Sequence, residues 1–263
     1  MDFIVDGLKV HAATGGRESL PGEPTVILIH GAGMDRTVWQ FQSRNIAYRQ
    51  RRVLAIDLPG HGRSEGTPPD TIAGMADWLS RYMDAAGVES AILIGHSMGA
   101  LIALDMAARY PDRVDKLVLM GVAETMPVHP DLLAAARDNL PLAPELITFW
   151  GVGDRSQIGS HPEPGLWIQG ASEALLKLSP DGMIANGLAA CDNYKDCLEN
   201  ARKIKCPTLF VLGSDDKMTP PKKGIALSEA MSNSTFFVVP DSGHMMMAEY
   251  PDMVYFALKN FVF

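Results

Sequence analysis

Short apolar runs alternate with longer amphipathic stretches along most of this 263-residue chain. After a two-strand start at about residues 3–13, apolar runs of strand length cover residues 25–30, 52–57, 90–95, 115–121, 207–212 and 235–239. Helical patterns are centred near residues 40–48, 71–86, 98–109, 221–231 and 251–261. Unbroken apolar runs of this length are typical of strands that are buried on both faces. The pattern therefore predicts an α/β protein with a mostly parallel, twisted sheet and helices on both of its faces.

Glycine-rich or polar segments follow several of the predicted strands. In open parallel sheets, ligands bind beyond the carboxyl ends of the strands, where such segments meet. We therefore expect the residues that carry chemistry to lie in these segments, on one side of the sheet.

The segment that follows residues 90–95 carries a candidate nucleophile. Residues 95–99 read Gly-His-Ser-Met-Gly, between an apolar run and a stretch of small residues that favours a helix. Glycines two residues before and after Ser97 allow a sharp strand-to-helix turn, which exposes the hydroxyl beside the first free N–H groups of the helix. A non-catalytic Gly-Ser loop can have the same sequence. A catalytic interpretation of the motif therefore depends on residues elsewhere in the chain.

A serine hydroxyl needs a base to accept its proton during attack on a carbonyl. Of the seven histidines, His244 fits best, because it follows the late run 235–239 and a Pro-Asp-Ser-Gly turn and precedes the last helix. Its place after the serine and after a late acid gives the chain order Ser, Asp, His.

Two adjacent carboxylates, Asp215 and Asp216, follow the run 207–212 and compete for the role of the acid that orients His244. Neighbouring residues in a turn point in different directions, so we expect only one of them to reach the imidazole. The spacing Gly-x-x-Asp-x-x-x-Pro favours Asp216 and leaves Asp215 as a turn or capping residue. Glu124, after the run 115–121, is a remote third candidate.

The run 25–30 opens into His30-Gly31-Ala32-Gly33, where the backbone can approach a ligand closely. An N–H group from this loop can join the N–H of Met98 in stabilising a negatively charged carbonyl oxygen. We expect Ala32 to supply that second donor. His30 is interpreted as a structural residue of the turn.

Taken together, these segments resemble the α/β-hydrolase superfamily, in its single-cap serine hydrolase branch. The matches are residues 30–33 for the oxyanion loop, 57–64 for the turn after the fourth strand, 95–99 for the nucleophile turn, 213–220 for the acid, and 243–244 with 249–251 for the base. Relatives that carry aspartate at the nucleophile position are dehalogenases or epoxide hydrolases, and Ser97 argues against both. The resemblance is also compatible with esterases, thioesterases, C–C bond hydrolases, lactonases, perhydrolases and a few lyases.

Between Glu124 and about Lys205 the alternation of strands and helices stops, and prolines and glycines break the chain into short segments. An insertion here, after the sixth strand of the fold, implies a helical cap or lid over residues 124–205, with a core domain made of residues 1–123 and 206–263. For substrate contacts we expect some of the residues in the lid and near the site, namely Gly33, Met126, Trp150, Trp167 and Met245.

Composition narrows the partners, metals and cellular location that are expected for this protein. A formal charge of −8 and the lack of a sizeable basic cluster make nucleic acid an improbable partner. Cys191, Cys197 and Cys206 lack the spacing of a disulfide framework or a zinc site, so no metal is expected. The first residues have no signal-peptide pattern, and no segment reaches the ~20 apolar residues that span a membrane, so a cytoplasmic protein without membrane contact is expected. The oligomeric state is left open.

The sequence therefore predicts a cofactor-independent serine hydrolase that acts on a small or medium, mainly apolar acyl compound, either a carboxylic ester or a thioester. Ser97 attacks, His244 moves the proton, Asp216 orients the imidazole, and Ala32 and Met98 hold the oxyanion. A C–C bond hydrolase of a diketone or ring-cleavage product would use the same residues. A ligand-binding receptor on the same fold, without useful turnover, is the alternative from another class.

Overall fold

The computed structural model describes residues 1–162 and 165–263. In this part of the chain the strands are β1 (Asp2–Val5), β2 (Leu8–Ala13), β3 (Thr25–Ile29), β4 (Arg52–Ile56), β5 (Ala91–His96), β6 (Val114–Met120), β7 (Thr208–Gly213) and β8 (Ser234–Val239). They form one sheet in the order β1-β2-β4-β3-β5-β6-β7-β8. The six strands β4, β3, β5, β6, β7 and β8 pair with one another in parallel. Strand β1 is antiparallel to β2, and β2 is antiparallel to β4. The predicted, mostly parallel sheet is confirmed.

The helices are α1 (Gln40–Ala47), α2 (Ile72–Ala85), α3 (Met98–Arg109), α4 (Pro130–Arg137), α5 (Leu142–Gly151), α6 (Asp154–Gln157), α7 (Ile168–Lys177), α8 (Met183–Asn193), α9 (Cys197–Lys203), α10 (Pro221–Glu229), α11 (Met246–Glu249) and α12 (Pro251–Val262). Among the described helices, none has the length and apolar composition needed to cross a bilayer.

Alternate residues of the central strands build two cores, one on each face of the sheet. In β3, Ile27 and Ile29 pack in a cluster with residues of α2 and α3, whereas Val26 and Leu28 pack in a second cluster with residues of α1 and α12. Successive side chains of a strand point to opposite faces, so a strand covered on both sides is apolar at every position. This is why the central strands are continuous apolar runs in the sequence.

Helices α4 to α9 occupy the segment between β6 and β7. Helix α5 packs against α4 and α7, and α8 packs against α4 and α3. Helix α9 lies on α3, and its Cys197 and Ala201 join the core on that face of the sheet. The Gly/Pro-rich part of this segment includes Glu163 and Pro164, which lie outside the described residues.

The parallel strands end on one side of the sheet, and the connections that follow them lie there together. The acid candidates follow β7, and His244 follows the adjacent strand β8. Ser97 follows β5. Strand β3, which pairs with β5, leads into residues 30–33. The sheet order thus gathers four segments that are far apart in the sequence.

Candidate active site

Ser97 occupies a strained turn between β5 and α3. Its backbone has φ 55° and ψ −118°, a region that non-glycine residues rarely adopt and that costs about 1–3 kcal/mol. The turn is tight because a Cβ at Gly95 would lie 2.2 Å from the Gly99 carbonyl oxygen, and one at Gly99 would lie 2.3 Å from the Ile29 carbonyl oxygen. These close approaches explain the glycines at both ends of the motif. The Ser97 N–H donates to the Met120 carbonyl at 2.9 Å, which fixes the turn to β6.

Asp216, and not Asp215, contacts the imidazole of His244. The Asp216 Oδ2 atom lies 2.8 Å from His244 Nδ1, and the two residues are only 3% and 2% exposed. Asp215 is half-buried and accepts a hydrogen bond from the Ser214 hydroxyl. A carboxylate can only accept, so Nδ1 must carry the proton and Nε2 presents a lone pair. That Nε2 atom is buried and has no hydrogen-bond partner in the described part of the chain.

Thr219 completes the surroundings of the acid, and sequence reasoning missed it. Its hydroxyl donates to Asp216 Oδ2 at 2.6 Å and lies 3.2 Å from His244 Nδ1. The N–H groups of Met218 and Thr219 donate to Asp216 Oδ1 at 2.9 and 2.8 Å. Burial raises the pKa of Asp216, but the positive charge that His244 carries when protonated and the hydrogen bonds from His244 and Thr219 outweigh it and hold that pKa below its ordinary value. The carboxylate therefore stays ionised.

His96, next to Ser97, holds the backbone of His244. Its Nε2–H donates to the His244 carbonyl at 2.9 Å, and the two rings lie 4.7 Å apart. Burial, with the nearby charge of His244, lowers the pKa of His96 to about 3, so this ring stays neutral.

Met98 follows Ser97 in the chain, and Ala32 lines the same cavity as Ser97. Met98 is the first residue of α3, so its N–H has no acceptor within the helix. A Cβ at Gly187 of α8 would lie 2.6 Å from Ala32 Cβ and 2.9 Å from Met98 Sδ. The segment between β6 and β7 therefore packs directly on these two residues, through a glycine that the sequence did not single out.

A cavity of about 430 Å³ opens at Ser97 and His244. Its wall is mainly apolar, with the side chains of Met126, Val128, Leu132, Trp150, Leu188 and Met218. Cys191 also lines it, but burial raises the pKa of this thiol to about 12, so it stays protonated and is a poor nucleophile. The cavity has the size and polarity of a small-molecule site.

Of the five residues expected to contact substrate, the structure places Met126 and Trp150 in the wall of this cavity. The other three lie elsewhere. Trp167 is 68% exposed and rests on Gly170, and Gly33 faces Ile184. Met245 is buried in the core cluster that also holds Met246 and Met247. A tryptophan at the start of α7 and a methionine beside the base can each face away from the site, which the sequence does not reveal.

Among the described residues, no group of three His, Cys, Asp or Glu side chains is arranged to hold a metal ion. The fold is that of an α/β protein with a strained serine turn at the end of a central strand. Residues 26–257 match the alpha/beta hydrolase family. The chain belongs to this family, and the predicted fold is confirmed.

Individual relatives differ in the reactions named for them. The chain is 32% identical over 272 residues to "Putative carbamate hydrolase RutD" of Caulobacter sp. strain K31, covering 98% of this chain and 96% of the relative. It is 29% identical over 267 residues to the pimeloyl-[acyl-carrier protein] methyl ester esterase of Neisseria meningitidis serogroup B strain MC58, covering 94% and 96%. It is 27% identical over 266 residues to 2-hydroxy-6-oxo-6-phenylhexa-2,4-dienoate hydrolase of Burkholderia cepacia, covering 94% and 89%.

Among solved structures, the enol-lactonase of Burkholderia xenovorans LB400 superposes with a TM-score of 0.87 at 23% identity, covering 98% of both chains. A thermophilic esterase of Thermogutta terrifontis superposes with a TM-score of 0.85 at 24% identity, covering 100% of this chain and 97% of the other. These two solved structures therefore share the fold of this chain.

The contacts of Asp216 predict an acid-dependent contribution to stability. A carboxyl group whose pKa is lower in the folded protein stabilises the fold above its unfolded pKa of about 3.9, and this contribution is lost as the pH falls through the lower folded value. Asp216→Asn should lower the free energy of unfolding by about 2 kcal/mol near neutral pH, because charged hydrogen bonds are lost. The difference from wild type should shrink as the pH falls below about 4.

Thermal melting of both proteins across this pH range measures the effect. Asp215→Asn is the matched control and should melt like wild type near neutral pH. A stability gap for Asp216→Asn that does not change with pH would contradict the assignment of an ionised, buried carboxylate.

Proposed function

We propose that this protein is a serine hydrolase that cleaves small or medium, mainly apolar carboxylic esters or thioesters through an acyl-enzyme on Ser97. The observation that carries the proposal is the buried Asp216–His244 hydrogen bond beside Ser97 at the mouth of an apolar cavity. His244 Nε2 takes the hydroxyl proton as Ser97 Oγ attacks the substrate carbonyl carbon. The same proton is then given to the leaving alkoxide or thiolate.

The negative charge on the carbonyl oxygen needs donors in place before the reaction starts. The N–H groups of Met98 and Ala32 fill this role in the proposed mechanism, at the start of α3 and in the loop after β3. Water then attacks the acyl-enzyme with His244 as base, which releases the acid and restores the Ser97 hydroxyl.

Residues 124–205 act in this proposal as a lid that shapes the substrate pocket. Most of the apolar wall comes from this segment, including Met126, Leu132, Trp150 and Leu188. Substrate choice would then follow from the lid, while the reacting groups come from the loops after the strands. The mainly apolar wall favours an apolar acyl group over a highly charged one.

C–C bond hydrolysis is the second candidate, because relatives that cover most of the chain are named for hydrolysis of compounds such as 2-hydroxy-6-oxo-6-phenylhexa-2,4-dienoate. It uses the same nucleophile and base on a ketone carbonyl. A panel of p-nitrophenyl esters, acyl thioesters, carbamates and vinylogous diketones separates these reactions.

Replacement of Ser97 by alanine tests the nucleophile. Only a hydroxyl oxygen is removed, so Ser97→Ala should keep its melting temperature while hydrolysis falls by about 10⁴-fold or more. Labelling by a fluorophosphonate probe should disappear together with turnover. A folded variant that keeps its activity would refute the mechanism. A wild-type protein that neither labels nor turns over any member of the panel would support the receptor alternative.

Trp150→Ala and Trp167→Ala form a matched pair for the lid. Trp150 lines the cavity, with its ring 5.5 Å from the His129 ring and tilted by 55° to it, whereas Trp167 is largely exposed. Loss of a pocket wall should change the ratio of kcat/KM for octanoate over acetate esters by about 10-fold or more in Trp150→Ala. The ratio should be unchanged in Trp167→Ala. Equal effects of the two variants, in proteins shown by melting to be folded, would refute this role of Trp150.

Gly187→Ala tests the oxyanion donors through their packing. The added methyl group has to displace Ala32, whose Cβ would be 2.6 Å away. We expect kcat to fall about 10- to 100-fold for all esters with little change in KM, because the misplaced donor serves the transition state. Alanine has a higher helix propensity than glycine, so in this respect the substitution stabilises α8. Full kcat in this variant would argue against Ala32 as a donor.

A further inference from the structure

The loop of the base is tied to the lid segment by backbone hydrogen bonds. The His244 N–H donates to the Gly151 carbonyl at 2.6 Å, and the Met245 N–H lies 3.3 Å from the same oxygen. Gly151 ends α5, so it belongs to the segment 124–205, which the sequence predicts to be a helical cap. Residues outside the core segments 1–123 and 206–263 therefore help to fix the backbone of His244.

Glu249 bridges the same two stretches of chain from the other side. Its Oε2 atom accepts hydrogen bonds from the N–H of Gly153 at 2.9 Å and of Gly243 at 3.2 Å, and its Oε1 atom accepts from the N–H of Met245 at 3.2 Å. The residue is fully buried. One carboxyl group thus holds the residues on both sides of His244 and Gly153, the second residue after α5.

Every N–H from residue 243 to residue 245 is satisfied by Glu249 or by Gly151. The carbonyl of His244 is held by His96. Because the backbone on both sides of the imidazole is fixed, the ring has little freedom beyond its own side-chain torsions. Removal of Glu249 would leave the buried N–H groups of Gly243 and Gly153 without acceptors, and the loop would have to shift to satisfy them.

Two exposed ion pairs lie next to this bridge. Lys217, beside the acid, contacts Asp154 at 2.6 Å, and Arg155 contacts Asp241 at 3.1 Å. Exposed pairs contribute little to stability. Their position nevertheless places residues 151–155 against both the acid loop and the base loop.

We propose that Glu249 is a positioning residue for the base, which sets the place of His244 by locking its loop to Gly151–Gly153 of the lid segment. The proposal rests on the proposed function, in which His244 moves the proton. Glu249 itself does not touch the substrate or the reacting atoms. Its effect on rate is transmitted through the backbone of residues 243–245.

Glu249→Gln tests this bridge with an isosteric change. The amide has one accepting oxygen, so its NH2 group must face at least one backbone N–H that Glu249 now accepts. We expect kcat to fall about 10- to 100-fold by the same factor for acetate and octanoate esters, with KM unchanged, because a small displacement of the base affects the chemical step. Glu173→Gln, which removes an exposed partner of Lys177 on α7, is the matched control and should keep wild-type rates.

Gly153→Ala is a second variant that leaves Glu249 intact. The added Cβ would lie 2.8 Å from the Gly243 N atom and 2.9 Å from Glu249 Oε2, so it separates the lid segment from the base loop. We expect the same loss of kcat at temperatures well below the melting point. A purely structural role would lower the melting temperature in both variants and leave kcat unchanged, and that result would overturn the proposal.

A proton NMR measurement makes the test independent of turnover. The Nδ1 proton shared by His244 and Asp216 gives a low-field resonance that reports the geometry of this hydrogen bond. It should shift or broaden in Glu249→Gln and Gly153→Ala and stay in place in Glu173→Gln. If wild type hydrolyses nothing, the proposed function fails, yet a shifted resonance still supports the positioning role. An unshifted resonance in both variants refutes it.

Discussion

The hydrogen bond between Asp216 and His244 joins the loops that follow two neighbouring strands, and the rest of the site depends on it. A buried charge is stable only where partners replace its lost hydration. Asp216 has such partners in the hydroxyl of Thr219 and in two backbone N–H groups, so it remains a carboxylate. That charge selects the tautomer of His244, and the tautomer leaves Nε2 as the basic atom of the site.

The sheet supplies the frame for this interaction. Strands β7 and β8 are adjacent and parallel, so the loops that follow them leave the sheet side by side. Strand β6 separates β7 from β5 and accepts the Ser97 N–H through the Met120 carbonyl, which fixes the turn at Ser97 to the sheet. The strained backbone of Ser97 persists because the residues around it on β3, β5 and α3 are closely packed.

Much of this architecture could be predicted from the sequence, since strands buried on both faces are continuous apolar runs and the turns after them carry distinctive glycines. The spacing around Asp216 also separated it from Asp215, and the structure brings Asp216 to His244. The cavity was harder to foresee. Trp150 and Trp167 both lie at the ends of short helices, and only the packing of those helices decides that one lines the cavity while the other faces solvent.

Other contributors left no clear signal in the sequence. Gly187 matters because a helix approaches Ala32, and Thr219 matters because its hydroxyl reaches Asp216. Such contacts join segments that are distant in the chain or depend on a particular rotamer, so spacing alone does not reveal them. Glu249 was visible only as part of a resemblance, with no indication that it contacts the segment after α5.

The attachment of Gly151 and Gly153 to the loop after β8 divides the segment between β6 and β7 into two structurally different parts. Other residues of this segment line the cavity or face solvent, as Trp150 and Trp167 do. The backbone at 151–153 has to keep its path, because the Gly151 carbonyl accepts from the N–H groups of His244 and Met245 and the Gly153 N–H donates to Glu249. The contact between these glycines and the loop after β8 runs mainly through backbone atoms, so side chains around the cavity can change without removing it.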